Sequence, residues 1–225
     1  MTTLRARQAW ATSFVSRLAT LKMRDTFNPY ADVCPIADAP DAPALRRANL
    51  IAQLTACQDT ADAVWLGREP GYRGARRTGL ALTDEMHLDQ AARAYGIRSF
   101  ARATRGTTMS ERTAAVAWSL INRLSAVPMT WNAFPLHAHQ HGNPMSNRCH
   151  TRAERVLTDP LLRELLDRFS NATIVAIGND ARDAVIALGV TPLVVRHPSY
   201  GGQSEFTSGI LAAFPQKQEA DLFLI

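Results

Sequence analysis

The sequence predicts an α/β protein: a single-domain, three-layer α/β/α sandwich around a central, mainly parallel four-stranded sheet. Three observations carry this reading. Short apolar runs alternate with longer stretches whose apolar residues recur at helical spacing. The runs end in glycine, proline or turn-forming sequence, as buried strands do. A chain of 225 residues, 46% of them hydrophobic, is long enough to cover both faces of such a sheet.

The elements follow in order. Residues 8–22 (QAWATSFVSRLATLK) space apolar groups as a first helix does, and 27–43 form a Pro/Asp-rich loop. Residues 44–58 read as a helix. Ala63 to Leu66 is a buried strand ended by Gly67, and 67–79 (GREPGYRGARRTG) is a loop of glycine and arginine. Residues 111–125 are a helix with Ser110 as N-cap. Val127 to Phe134 is a strand that runs into a long loop, 135–150. A helix over 152–169 precedes a strand from Thr173 to Ile177, closed by Gly178, and a helix from Asp180 to Leu188. Pro192 to Arg196 is the last strand. It delivers HPSYGG, 197–202, before a closing helix over 203–214.

Composition narrows the classes of function. No apolar run approaches the roughly 20 residues of a membrane span. The first 23 residues lack the uninterrupted apolar stretch of a signal peptide. Three scattered cysteines, Cys34, Cys57 and Cys149, make no disulfide framework and no C-x-x-C pair; they predict a reducing cytoplasm. The net charge is +5, and all but Lys22 and Lys217 of the 25 cations are arginine. An arginine-rich basic chain favours a phosphate-bearing partner, although a high-GC genome produces the same skew.

Three strand ends carry unusual sequence: GREPG after the first, WNAFP at the second and HPSYGG after the last. In open parallel sheets ligands bind beyond the carboxyl ends of the strands. Taken together the segments resemble the uracil-DNA glycosylase superfamily, over roughly residues 27–210. The first motif is Gly67-Arg68-Glu69-Pro70-Gly71-Tyr72, and Gly79-Leu80-Ala81-Leu82-Thr83 begins twelve residues past its first glycine. Asn132 stands where the family reads the base, and His197-Pro198-Ser199 matches its final motif. Gly142-Asn143-Pro144 to Asn147-Arg148, with Thr151 and Glu154, resembles a run of the iron–sulfur branch.

The resemblance implies hydrolysis of the N-glycosidic bond of uracil or another deaminated or damaged base in DNA. Glu69 is then the carboxylate that positions or activates water, and His197 the neutral imidazole that stabilises the departing base. Asn132 reads a base edge with its amide. Gly67, Arg68, Gly71, Tyr72 and Leu82 would line the base pocket of a flipped nucleotide. Arg73, Arg76, Arg77, Arg148, Ser199, Tyr200, Gly201 and Gly202 are candidates for the DNA backbone. A plain alternative stands beside each: Glu69 as the ion-pair partner of a neighbouring arginine, His197 as a structural histidine, Asn132 as a turn cap, the arginines as a solvated face.

Four departures bear on substrate. Glu69 replaces the aspartate of the best-known branch. Gly71 stands where that branch has the tyrosine that excludes thymine, so Tyr72 is displaced by one position. Leu82 replaces the aromatic that stacks on the base, with Phe134, Trp131 or Tyr72 as substitutes. Three cysteines without the branch's spacing predict no iron–sulfur cluster, and no cofactor is expected. His137, His139, His141 and His150 read as polar loop contacts, of the kind that also serve DNA, rather than as a metal site. Neither lysine lies in a motif, so Schiff-base strand cleavage is not expected and the enzyme would be monofunctional. A monomer is expected. The rival readings are a non-catalytic DNA or nucleotide binder on the same fold, and a glycosidase acting on a nucleoside-like substrate.

Overall fold

The computed structural model describes residues 2–199 and 201–218. Helix α1 spans Leu4–Ala19 and is capped by Thr3, whose hydroxyl accepts from the Ala6 amide at 3.3 Å. It begins earlier than apolar spacing predicts because its first turn is held by a cap and not by burial. A two-residue strand β1 (Thr26–Phe27) follows, then α2 (Ala42–Cys57), β2 (Ala63–Gly67) and the short α3 (Ala75–Thr78). A 3₁₀ turn (Glu85–His87) leads into α4 (Leu88–Ala94), and α5 (Arg112–Ile121) follows. Then come β3 (Met129–Asn132), β4 (His137–Ala138), α6 (Arg152–Arg168), β5 (Thr173–Ile177), α7 (Asn179–Ala187), β6 (Leu193–Val195) and α8 (Gln203–Ala213). The sequence reading anticipated neither α3 nor α4, nor the antiparallel pairing of β1 with β4. Elements this short show little or no measurable period.

The main sheet has the order β3-β2-β5-β6, all parallel. Alternate residues feed two cores. Val64, Leu66 and Ala176 pack with α1, α2, α6 and α7. Ala63, Trp65, Val175 and Ile177 pack with α4, α5 and α8 on the other face. The result is the expected α/β/α sandwich. Its central strand β2 is buried at every position, which is why it reads as one apolar run.

The connections decide where a ligand can sit. After β2 the chain continues to the layer of α4 and α5; after the adjacent β5 it continues to α7 in the opposite layer. Connections leaving neighbouring strands for opposite faces open a crevice between their carboxyl ends. Among the described residues, no helix is long and apolar enough to cross a membrane.

One predicted cap is corrected. Glu111, not Ser110, is the N-cap residue of α5, and its side chain makes no capping hydrogen bond. Helix α6, by contrast, has a complete capping box. Thr151 Oγ1 accepts from the Glu154 amide at 3.2 Å, and the Glu154 carboxylate accepts from the Thr151 amide at 2.6 Å.

Candidate active site

A cleft of about 610 Å³ opens at the carboxyl ends of the sheet. The end of β2 contributes Gly67, Arg68, Glu69 and Pro70; β3 contributes Asn132; β5 leads to Gly178, Asn179 and Asp180; β6 leads to His197 and Ser199. Gly67 and Asn132 are register partners across the parallel pair. A Cβ on residue 67 would stand 2.7 Å from Asn132 Oδ1. Glycine therefore lets the Asn132 amide lie across the end of β2.

The Glu69 side chain is 6% exposed. One carboxylate oxygen, Oε1, pairs with Arg68 Nε, and Arg68 also reaches Asp180 Oδ2 at 3.2 Å. The other, Oε2, accepts from the His150 amide at 2.9 Å and from His150 Nδ1 at 2.6 Å. Burial opposes ionisation of Glu69 most strongly. The His150 hydrogen bonds and the Arg68 charge together outweigh it and hold the carboxyl below the ordinary range. Glu69 is thus an anion at neutral pH. Oε2 takes two donors and Oε1 one, which leaves a lone pair on Oε1 for a further donor.

His197 is held neutral, first by burial and then by the charge of Arg68, which together depress its pKa. Its Nδ1 accepts from the Ser199 amide at 3.1 Å. The proton of the neutral ring is therefore on Nε2, where it is free to donate. Leu82 closes another wall, with a left-handed backbone (φ 53°) uncommon for a side chain with a Cβ. Thr78 stabilises that segment: its hydroxyl accepts from the Leu80 amide at 3.1 Å and donates to the Thr83 carbonyl at 2.7 Å.

Several predicted contacts are corrected. Arg76 and Arg77 point inward and are buried. Arg76 lies 4.1 Å over the Phe27 ring and bonds the Pro144 carbonyl, while Arg77 meets Glu85 at 2.9 Å and Thr104 at 3.0 Å. Both are structural ties and present no guanidinium to a phosphate. Arg148 reaches the cleft, but Glu154 pairs with it in two-pronged fashion, at 2.5 and 2.9 Å. Arg73 is exposed and lies over the Tyr72 ring at 5.5 Å. Tyr72 itself does not line the cleft, whereas Gly71 does. Neither do the substitute stacking rings: Trp131 packs on Phe14, and Phe134 is covered by the His150 ring at 4.8 Å. Gly202 is required by contact, since a Cβ there would overlap the His197 carbonyl. Gly201 is exposed and left-handed at φ 80°. Tyr200 lies outside the described residues.

The histidines of the long loop disperse. His137 is fully buried and bonds the Ser146 carbonyl at 2.8 Å. His139 Nδ1 meets the Gln140 carbonyl at 3.0 Å, and His141 meets Asp25 at 2.9 Å. Among the described residues, no group of three or more His, Cys, Asp and Glu is placed to hold a metal ion. His150 is the partner of Glu69 that sequence reasoning missed: it sits 81 positions away and only the fold joins them. Glu111 was missed as well, and it also lines the cleft. Comparison of the chain with models of known protein families finds no match, and comparison with curated proteins finds none either.

Proposed function

We propose that this protein is a monofunctional DNA glycosylase, related to the uracil-DNA glycosylase superfamily, that releases uracil or another deaminated base from DNA in the cytoplasm. The observation that carries the reading is the convergence of an anionic Glu69, a neutral His197 with a free Nε2–H, and a buried Asn132 amide on one cleft.

In hydrolysis the C1′–N bond breaks with its electron pair going to the base. Positive charge develops on the sugar and negative charge on the base. The Glu69 carboxylate stabilises the first, and its open Oε1 lone pair accepts a hydrogen bond from the attacking water. The His197 Nε2–H stabilises the second. Water oxygen bonds to C1′, one of its protons is passed on through the carboxylate, and a proton ends on the released base. Asn132 offers one donor and one acceptor to a base edge.

The test is a duplex oligonucleotide with one uracil, hypoxanthine or xanthine, incubated with the protein and then cleaved with alkali. Strand scission after alkali is expected for at least one base. No scission for any of the three at high enzyme would reject hydrolysis of these bases. One observation favours the second reading, a non-catalytic binder: three donors already engage Glu69. Salt-sensitive binding without base release would establish it.

Two further outcomes follow from the geometry. Gly67→Ala should displace the Asn132 amide and slow base release by about 10²-fold, with the circular dichroism spectrum unchanged. Arg68→Ala removes the cation beside both Glu69 and His197, so both pKa values should rise. Glu69 must be ionised and His197 neutral to act, and both folded pKa values are depressed, so activity is lost as pH falls through the higher of the two. In Arg68→Ala the acid limb of the kcat/KM profile should therefore move to higher pH. An unmoved limb would assign it to a different group.

A further inference from the structure

Glu111 begins α5, yet its carboxyl ignores the free amides of that helix and reaches into the cleft. It sits against the Cα atoms of Gly71 and Gly74. A Cβ on residue 71 would stand 2.5 Å from Glu111 Oε1, and one on residue 74 would overlap Oε2. The two glycines thus make room for the carboxyl. Its backbone is fixed, because the Glu111 amide donates to Asp84 Oδ2 at 2.6 Å. Its carboxyl oxygens have no hydrogen-bond partner among the described residues. A half-buried carboxyl with no protein partner, lining a cleft shared with Asn132 and His197, is open to a hydrogen bond with a ligand there.

We propose that Glu111 is a base-reading residue of this cleft, which in its neutral acid form donates a hydrogen bond to a carbonyl of a deaminated base. The proposal rests on the glycosylase reading and names its substrate class. Deamination replaces an amino donor by a carbonyl acceptor. A neutral carboxyl supplies the matching donor, while a carboxylate can only accept and repels that carbonyl.

The surroundings favour the neutral form. Burial and then the nearby Asp84 charge push the Glu111 pKa up to about 7. Asp84 is itself engaged by His87 Nδ1 at 2.5 Å. The motif loop that packs on the carboxyl contributes Gly71 and Gly74, which carry no charge. A group that must be protonated loses its contribution as pH rises through its pKa, by about tenfold per unit above it. Glutamine keeps a donor and an acceptor at every pH.

The experiment measures binding of a duplex bearing one 2′-fluorinated deoxyuridine, whose fluorine disfavours charge at C1′ and slows hydrolysis. The control duplex has cytosine at that position. Fluorescence anisotropy gives the ratio of the two affinities between roughly pH 5.5 and 8.5, bracketing the range in which Glu111 titrates. The wild-type preference for the uracil duplex should fall by about tenfold per unit above pH 7. Glu111→Gln should keep the preference and flatten the profile, and Glu111→Ala should lose it. A Glu111→Gln profile that follows the wild type, or no uracil preference at any pH, overturns the role of Glu111. A titrating preference with no release of ordinary uracil overturns hydrolysis and leaves base reading by Glu111 standing.

Discussion

Glu69→Gln is expected to slow base release by about 10²- to 10⁴-fold, the range for removing a positioned acid–base or charge-stabilising group. Glutamine preserves the size of the side chain and keeps an acceptor for His150. It removes the negative charge that would face the developing cation, and with it the strongest acceptor for water. The measurement is single-turnover release from a uracil duplex, with thermal unfolding of the same preparations alongside. The control matters because Glu69 has two roles available: it is buried, paired with Arg68 and held by His150. A merely structural carboxylate would lower the unfolding temperature and leave the rate in place. A rate that collapses while unfolding stays cooperative assigns the charge to chemistry. His150→Ala complements it: the backbone amide of residue 150 still donates, but without the ring hydrogen bond the Glu69 pKa rises, and an acid limb set by Glu69 follows it upward.

The largest effect on stability is expected at Arg46, deep beneath the site. Its side chain is 1% exposed and pairs with Asp38, which is 2% exposed. It also donates to the Arg77 carbonyl at 3.1 Å and the Pro29 carbonyl at 3.2 Å. Asp38 in turn accepts from the Cys34 amide at 2.8 Å. One guanidinium therefore ties α2 to the 27–43 loop and to the segment that carries the first motif. Arg46→Met leaves the Asp38 carboxylate buried without its cation, which costs about 3–5 kcal/mol by analogy with other broken buried pairs. Urea unfolding should show that loss as a lower midpoint. Asp38→Leu combined with Arg46→Met removes both charges and should recover much of it, because the pair repays little more than its own desolvation. Equal losses in the single and the double variant would locate the effect in packing instead.

Much of the architecture was legible in short windows of sequence. The central strand β2 is an apolar run with an abrupt end, and a strand buried on both faces has no other pattern to show. The strands β3, β5 and β6 are short, with β5 and β6 mixed in burial, and were legible by their apolar residues and by the turn sequence that ends them. The long helices announced themselves by spacing. The order of Glu69, Asn132 and His197 at three strand ends suggested one site, since parallel strands bring their carboxyl ends to the same edge. Arg76 and Arg77 were misread because a run of arginines looks solvated on paper. Only the turn of α3 carries them inward, to Phe27 and Glu85.

By itself, then, the sequence determined the class of fold and the strand ends beside which the cleft opens, because periodicity and strand ends are local properties of the chain. The tertiary structure alone decided the electrostatics. Whether Glu69 is an anion depends on His150 from a distant loop, and whether His197 is neutral depends on burial and on Arg68 from another strand end. The vacant carboxyl of Glu111 exists only because two glycines, some 40 positions away, make room for it. Hydrogen bonds and desolvation act over a few ångströms in space, and separation along the chain carries almost no information about them.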